Sequence, residues 1–340
     1  MTENPPSPER IMDVGMGFQP SMALLAAVEL DVFTELARRP AGADELRDRL
    51  GLHPRGARDF FDTLVALGFL LRQEGVYRNA PDADAYLDRA KPSFVHSGSL
   101  LEMAGDRLYG FWGNLAEALR TGKRQSEDAD REHSNYEAMY ADSERVRKFL
   151  TSMTGVSHAA NVEIARRFPW SSYGSVADLG TAQGDLAVQI LLANPHMRGI
   201  GLDLPVAAEV FRAYVAENGL SDRLEFTAGD FFVDHLPPAD VYTFGHVLHN
   251  WDLEKKRLLL RRAHRALPEG GAVICYDAVI DDDRSRNVGG LLMSLNMLTA
   301  TEEGVNYTAA DCREWMREAG FTETRAEHLT GPDSMIVGIK

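Results

Sequence analysis

The chain has 340 residues, 44% of them hydrophobic, with 51 acidic against 36 basic side chains and a formal charge of −15. Such a length holds about two domains of ~150 residues each, and the acidic balance speaks against nucleic acid or an anionic membrane as the main partner. The two cysteines, Cys275 and Cys312, make neither a disulfide framework nor a zinc cluster and fit a reducing cytoplasm; the polar, proline-rich start has no signal-peptide pattern, and no run approaches the ~18 apolar residues of a membrane span.

After a leader to about Glu9, residues 11–38 read as helical and apolar on nearly every face, which places that helix inside its own domain or against a partner. Residues 43–50 form a short helix closed by Gly51, Pro54–Gly56 turns the chain, and 57–67 make a second helix with Phe60, Leu64 and Leu67 on one side. A small hairpin follows at 69–77, completing a winged-helix pattern. Such modules bind DNA, but Arg55 and Arg58 are balanced here by Asp59 and Asp62, whereas a phosphate-tracking face is net basic. Packing or dimerisation is the expected role. Residues 94–165 read as mostly helical and rich in large apolar groups (Met103, Leu108, Tyr109, Phe111, Trp112, Tyr136, Met139, Tyr140, Phe149, Met153), with a charged surface loop over 122–133. These segments make an N-terminal domain over 1–165, leaving 166–340 as the second.

From 176 onward strands and helices alternate: strand 176–179, helix 186–193, strand 198–202, helix 206–217, strands 224–227 and 240–245, helix 253–266, strand 271–276, helices 288–299 and 309–319, then apolar runs 324–329 and 334–339 as an antiparallel pair at a sheet edge. That alternation predicts an α/β domain with a doubly wound sheet.

Three strand ends carry acids. The first strand runs into Asp178-x-Gly180-x-Ala182-x-Gly184, the second ends on Asp203, and the third leads to Asp230-Phe231. An open parallel sheet binds ligands beyond the carboxyl ends of its strands, so these acids describe one nucleoside-binding crevice. The loop lacks the G-x-G-x-x-G spacing that seats a pyrophosphate. An acid entering it suits a cationic, amine-bearing ligand such as S-adenosylmethionine, with Asp203 accepting the ribose hydroxyls and Asp230 and Phe231 holding the adenine. The fourth strand exits on the same side into Gly245-His246-Val-Leu-His249-Asn250-Trp251-Asp252. His249 is a candidate general base, since imidazole accepts a proton near neutral pH.

Taken together, Asp-x-Gly-x-Ala-x-Gly, Leu-Asp203-Leu204-Pro, Gly-Asp230-Phe-Phe, His-Val-Leu-His249-Asn-Trp-Asp, Leu-Pro-Glu-Gly-Gly and the helix entered by Tyr307-Thr-Ala-Ala-Asp resemble the small-molecule O-methyltransferases of the plant caffeate and hydroxyindole type, in their bacterial natural-product branch. The resemblance covers essentially the whole chain. It implies a class I methyltransferase sheet with a helical, winged-helix dimerisation domain, and S-adenosylmethionine contacts at Asp178, Gly180, Asp203, Leu204, Asp230, Phe231 and Gly245. It implies His249 as base and two flanking acids, one falling at Asp277, shortened from the usual glutamate, and the other at Asn306, which cannot carry charge. Ala182 and Asn250 also depart from the family pattern. Relatives on this fold methylate carbon or nitrogen, or do not methylate, and these outcomes stay open beside O-methylation; a cofactor-sensing DNA-binding regulator is the remaining alternative.

The expected reaction is in-line methyl transfer to a hydroxyl of a small, aromatic substrate, with Asp277 fixing the imidazole tautomer. The expected acceptor pocket is walled by Trp112, Phe149, Met153, Met293 and Met297, thioethers suiting flat rings, with Asn296 orienting the acceptor. No metal is expected, because His246 and His249 lack a carboxylate in helical register, and His246 is expected to point elsewhere. The N-terminal domain is expected to join a homodimer.

Overall fold

The apolar run at 11–38 folds as three helices, not one. In this computed structural model, which describes residues 6–126 and 143–340, they are α1 (Glu9–Gly15), α2 (Phe18–Glu29) and α3 (Val32–Arg38). Asp31 separates the last two by adopting the left-handed conformation, φ +58°, which a short polar side chain tolerates better than most. The chain divides into two units, Met1–Asp106 and Arg107–Lys340.

The first unit packs α3, α4 (Ala43–Arg49) and α5 (Pro54–Ala66) on a small sheet. Its core joins Val28, Phe33, Leu36, Leu46, Phe61 and Leu64 to Leu70 and Tyr77 of the hairpin. The second winged-helix element starts at Pro54, three residues before the expected 57, with proline in its first turn and the His53 ring accepting from the Arg55 N–H; proline at that position is pre-set for helix entry. Strands β2 (Leu70–Gln73) and β3 (Val76–Asn79) form the wing, and β1 (Ala41–Gly42) pairs on the other side of β3. The unit closes with α6 (Pro81–Tyr86) and α7 (Gly98–Met103). In contrast to that core, α1 buries nothing. Ile11, Val14 and Phe18 are 67%, 78% and 48% exposed. The run Glu9–Glu29 is long and apolar enough by composition to cross a membrane, which corrects the expectation that no stretch approaches that limit.

The second unit begins at Arg107, so the boundary expected at 165 falls inside it. The reason is packing. Helix α10 (Ser143–Arg167), which follows α8 (Tyr109–Gly113) and α9 (Leu115–Thr121), lies along the first helix of the sheet domain. Its Ala160, Ile164 and Ala165 join Leu186, Ile190 and Leu191 in one core. Tyr136, Met139, Tyr140 and part of the charged stretch lie outside the described residues.

The sheet is built from β4 (Ser175–Leu179), β5 (Arg198–Asp203), β6 (Leu224–Ala228), β7 (Val241–Gly245), β8 (Ala272–Asp277), β9 (Glu323–Thr330) and β10 (Asp333–Ile339). Their order is β6-β5-β4-β7-β8-β10-β9. The first five are parallel, while β10 is antiparallel to both neighbours and β9 forms the edge. Helices α11 (Asp185–Ala193), α12 (Ala208–Glu217), α13 (Leu253–Ala266), α14 (Val288–Ala300) and α15 (Ala309–Ala319) complete the unit. Apolar clusters cover both faces, which explains why β8 reads as a continuous apolar run and why every one of its residues, Asp277 included, is buried. Helix α15 begins at a capping box between Thr308 and Asp311, worth about 0.5–2 kcal/mol. It thereby fixes Tyr307, one residue upstream. Strand order reverses at β4, so a ligand crevice opens beyond the carboxyl ends of β4, β5 and β7.

Candidate active site

The loop after β4 is held from below. Asp178, paired across the sheet with Thr243 of β7, is 3% exposed. Its two oxygens accept from Thr243 Oγ1 (2.6 Å) and Thr181 Oγ1 (2.8 Å). Burial outweighs these bonds and raises its carboxyl to about 6. Asp178 therefore lies beneath the loop and shapes it, where the sequence suggested an acid facing a cation. Above it the backbone turns through left-handed conformations at Gly180 (φ +83°), Ala182 (φ +50°) and Gly184 (φ +94°). A Cβ on Gly180 would stand 2.8 Å from Val247 Cγ2, and one on Gly184 2.7 Å from the Phe211 ring. Ala182, where the family pattern has glycine, accepts the strained conformation and donates its N–H to Asp203 Oδ2 (2.8 Å).

Asp203 ends β5, half-buried, with Oδ1 accepting from the Leu204 N–H (2.7 Å). Burial raises its carboxyl, against the lowering effect of the Ala182 and Leu204 amides. Asp230 follows β6, and its Oδ1 accepts from the Phe232 N–H (2.8 Å). The Phe231 ring lies against Gly180, 3.4 Å from where a Cβ would stand, and packs edge-on with Phe232 (4.9 Å). Gly245 ends β7. The predicted strand-end residues thus converge on one crevice. A carboxylate suited to a diol, a second beside an aromatic face, and a glycine turn that side chains would fill together fit an adenosine-bearing cofactor.

Past β7, His249 sits in a short turn, 5% exposed. Its Nδ1 lies 2.8 Å from Asp277 Oδ1, and the other Asp277 oxygen accepts from Tyr307 Oη (2.5 Å). Burial would raise the Asp277 carboxyl, but His249, His246 and Tyr307 together hold it below the usual range. His246 does not point elsewhere, as expected from sequence. Left-handed at φ +51°, it brings Nδ1 to 3.5 Å from the same Asp277 Oδ1 and Nε2 to 3.9 Å from Asp333 Oδ1 on β10. Burial lowers its imidazole to about 4 and raises Asp333 to about 7. The carboxylate that the two histidines seemed to lack in helical register comes from β8 instead.

Asn306, at the position of the second flanking acid that the resemblance implies, bonds to backbone. Its Nδ2 donates to the carbonyls of Ala278 and Gly290, and its Oδ1 accepts from the Tyr307 N–H. It pins the backbone, and its neighbour Tyr307 is the group that touches Asp277. Thr243, Tyr307 and Asp333 were missed because no local pattern marks them; strand register and the fold around β8 bring them in.

The six expected pocket residues separate. Trp112 Nε1 donates to Asn296 Oδ1 (3.0 Å), joining α8 to α14, where half-buried Met293 and buried Met297 also sit. Helix α14 in turn packs on the His249 turn. Phe149 instead joins Val146, Leu150, Ala182 and Val206 on the side of the cofactor loop, and Met153, half-buried, lies one helical turn further along α10.

This sheet order, with a glycine-turned loop and acids at successive strand ends, defines a class I S-adenosylmethionine-dependent methyltransferase. Residues 112–322 match the O-methyltransferase domain family and residues 12–89 the O-methyltransferase dimerisation domain, and the chain belongs to that O-methyltransferase family. It is 44% identical over 334 residues to the tetracenomycin polyketide synthesis 8-O-methyl transferase TcmO of Streptomyces glaucescens, covering 98% of this chain and 97% of the relative. It is 36% identical to the N,N-dimethyltransferase OxyT of Streptomyces rimosus over the whole of both chains. Its fold superposes on human N-acetylserotonin methyltransferase in complex with S-adenosylmethionine with a TM-score of 0.90, at 27% identity and covering 100% and 99% of the two chains. The chain is an O-methyltransferase that uses S-adenosylmethionine.

Proposed function

We propose that the enzyme methylates a phenolic hydroxyl of a fused-ring aromatic polyketide, with His249 as general base. The reading rests on one geometric observation: His249 Nδ1 faces a fully buried carboxylate at 2.8 Å. With the imidazole proton on Nδ1, this close approach to the carboxylate is electrostatically favourable. It leaves Nε2 with the lone pair, the atom that takes the hydroxyl proton. Asp277 holds that tautomer and stabilises the imidazolium that forms, as an oriented carboxylate does for a catalytic histidine elsewhere. Tyr307 keeps Asp277 from rotating away. S-adenosylmethionine, when bound, supplies an electrophilic methyl carbon on a sulfonium. Asp203, Leu204, Asp230, Phe231, Gly180 and Gly245 are the residues that would hold it, with Asp178 acting through the loop it underlies. Alignment of donor and acceptor is worth up to ~7–11 kcal/mol of the barrier, and a positioned base adds roughly 10²–10⁴-fold.

The acceptor class is supported by the relatives. TcmO is named for 8-O-methylation in tetracenomycin polyketide synthesis, and Trp112 of α8 meets Asn296 of α14, the helix that also carries Met293 and Met297. OxyT is named an N,N-dimethyltransferase, so methylation at nitrogen is the second reading. Incubation with S-adenosylmethionine and a hydroxylated tetracyclic polyketide should yield a product one methyl heavier, with the new group on oxygen by NMR. Methylation of an amine while phenols stay untouched would replace the first reading with the second.

The enzyme works as a homodimer joined through its N-terminal unit. The dimerisation domain spans residues 12–89, and the exposed Ile11, Val14 and Phe18 are too apolar a surface to leave in water. A second copy of this chain, packing α1 and α2 against their equivalents, is the occupant that this domain implies.

A further inference from the structure

Five buried polar atoms meet behind the catalytic turn: His246 Nδ1 and Nε2, His249 Nδ1, Asp277 Oδ1 and Asp333 Oδ1, none with an aligned hydrogen bond. Only one contact among them is short, the 2.8 Å between His249 and Asp277, and it is not aligned as a hydrogen bond. With the imidazole proton on Nδ1 the contact is attractive; with the proton on Nε2, lone pairs face each other. Unsatisfied groups at this burial cost about 1–3 kcal/mol each, and they call for a proton or a cation between them.

We propose that His246, His249 and Asp277 form a binding site for a borderline divalent cation of the zinc or cobalt type, and that its occupation takes the catalytic base out of the reaction. One ligand atom from each residue lies within 4.8 Å of the others. Ligands around a tetrahedral ion at ~2.1 Å stand about 3.4 Å apart, and the observed 2.8 Å and 3.5 Å approaches to Asp277 Oδ1 bracket that spacing. Two imidazoles and one carboxylate are a donor set for zinc, cobalt or nickel in preference to magnesium or calcium. The outer groups fit as well. A ligating histidine usually gives its remaining N–H to a carboxylate; Asp333 stands at the Nε2 side of His246, and Tyr307 donates to the free oxygen of Asp277. The left-handed backbone at His246 turns its ring toward this point; such strain tends to persist where function requires it.

The consequence for catalysis follows from the proton count. A neutral imidazole has one N–H and one lone pair. When Nδ1 gives its lone pair to the cation, the proton resides on Nε2, which then has no lone pair for the substrate proton. The cation also takes the Asp277 oxygen that would have stabilised the imidazolium. Binding therefore competes with catalysis. The binding half stands on geometry alone; the inhibitory half rests on His249 being the base.

The test is titration of the purified dimeric enzyme with ZnCl2, followed by calorimetry, with CoCl2 as a spectroscopic probe and turnover measured in the same samples. One zinc per chain should bind, cobalt should show ligand-field bands of a low-coordinate nitrogen–oxygen site, and turnover should fall with occupancy and return on adding EDTA. His246→Asn keeps a residue suited to the left-handed backbone and should abolish binding. Asp333→Asn, which leaves the three ligands in place and changes only the carboxylate beside His246, should weaken it about 10- to 100-fold. Absence of binding to the wild type, or binding unchanged in both variants, would overturn the site. Full occupancy with undiminished turnover would overturn the inhibitory role. An enzyme that turns over no phenol at all would refute the functional reading while the calorimetric result still decides the site.

Discussion

Replacing Asp277 by Asn asks what the buried carboxylate does for His249. The side chain keeps its size and its place at the end of β8, but a carboxylate that only accepts becomes an amide with a donor. The amide oxygen can still accept from Tyr307 Oη, which approaches the oxygen remote from His249. The N–H₂ then faces His249 Nδ1, 2.8 Å from the position of Oδ1, and stabilises the tautomer with the proton on Nε2. That tautomer cannot act as base. The loss should approach the whole contribution of a positioned base, about 10²–10⁴-fold in kcat. Asp277 lies outside the Gly180–Gly184 turn and the β5 end, so affinity for S-adenosylhomocysteine should stay within about threefold, a change of ~0.6 kcal/mol. Tyr307→Phe removes one bond to the charged group, worth about 1.5–3 kcal/mol where fully expressed, and should fall between wild type and Asp277→Asn. Single-turnover methylation followed by mass spectrometry, with calorimetry for the product cofactor, reads both quantities. A turnover in Asp277→Asn within about threefold of wild type would refute the tautomer argument, whatever His249 does.

Three further outcomes follow from particular contacts. Asp203→Ala should weaken S-adenosylhomocysteine binding by about 1.5–3 kcal/mol in calorimetry, where the wild type shows one site per chain; unchanged affinity would remove Asp203 from the cofactor site. Asp333 is raised to about 7 by burial and by Asp277, so the folded state holds its proton more tightly than the unfolded chain. Its contribution is complete below about pH 4 and is lost as pH rises toward 7, on the order of 4 kcal/mol in full. The facing His246, lowered to about 4 by burial, contributes with the opposite sign over much of the same window; Asp277 and His249 also face this group. Asp333→Asn should therefore gain stability relative to wild type as pH rises from 4 to 7 in urea titrations, and a constant difference would contradict the assignment. Val14→Asp with Ile11→Asp should convert the dimer to monomer by light scattering at micromolar concentration; a dimer that survives would place the interface elsewhere.

The strand-end acids and the alternation of strands and helices were legible because each depends on a few adjacent residues. Helices 253–266 and 309–319 stand at the bounds the sequence predicts. The three-helix break in 11–38 was not seen, since neither Gly17 nor Asp31 interrupts the apolar pattern. The unit boundary was set too late because α10 was grouped by composition, while its apolar face is decided by α11. The orientations of Asp178 and Asn306 are not legible in the sequence, for one reason. A motif says which residue stands at a strand end but not whether its side chain turns under the loop, toward Thr243, or back onto the carbonyls of Ala278 and Gly290. His246 and Asp333 are 87 residues apart in the chain, and only the placement of β10 beside β8 brings them together.

The most direct test of the account is His249→Ala assayed for methyl transfer. If His249 is the base, the variant folds, binds S-adenosylhomocysteine as the wild type does and loses about 10²–10⁴-fold in turnover. Turnover near that of the wild type would contradict it.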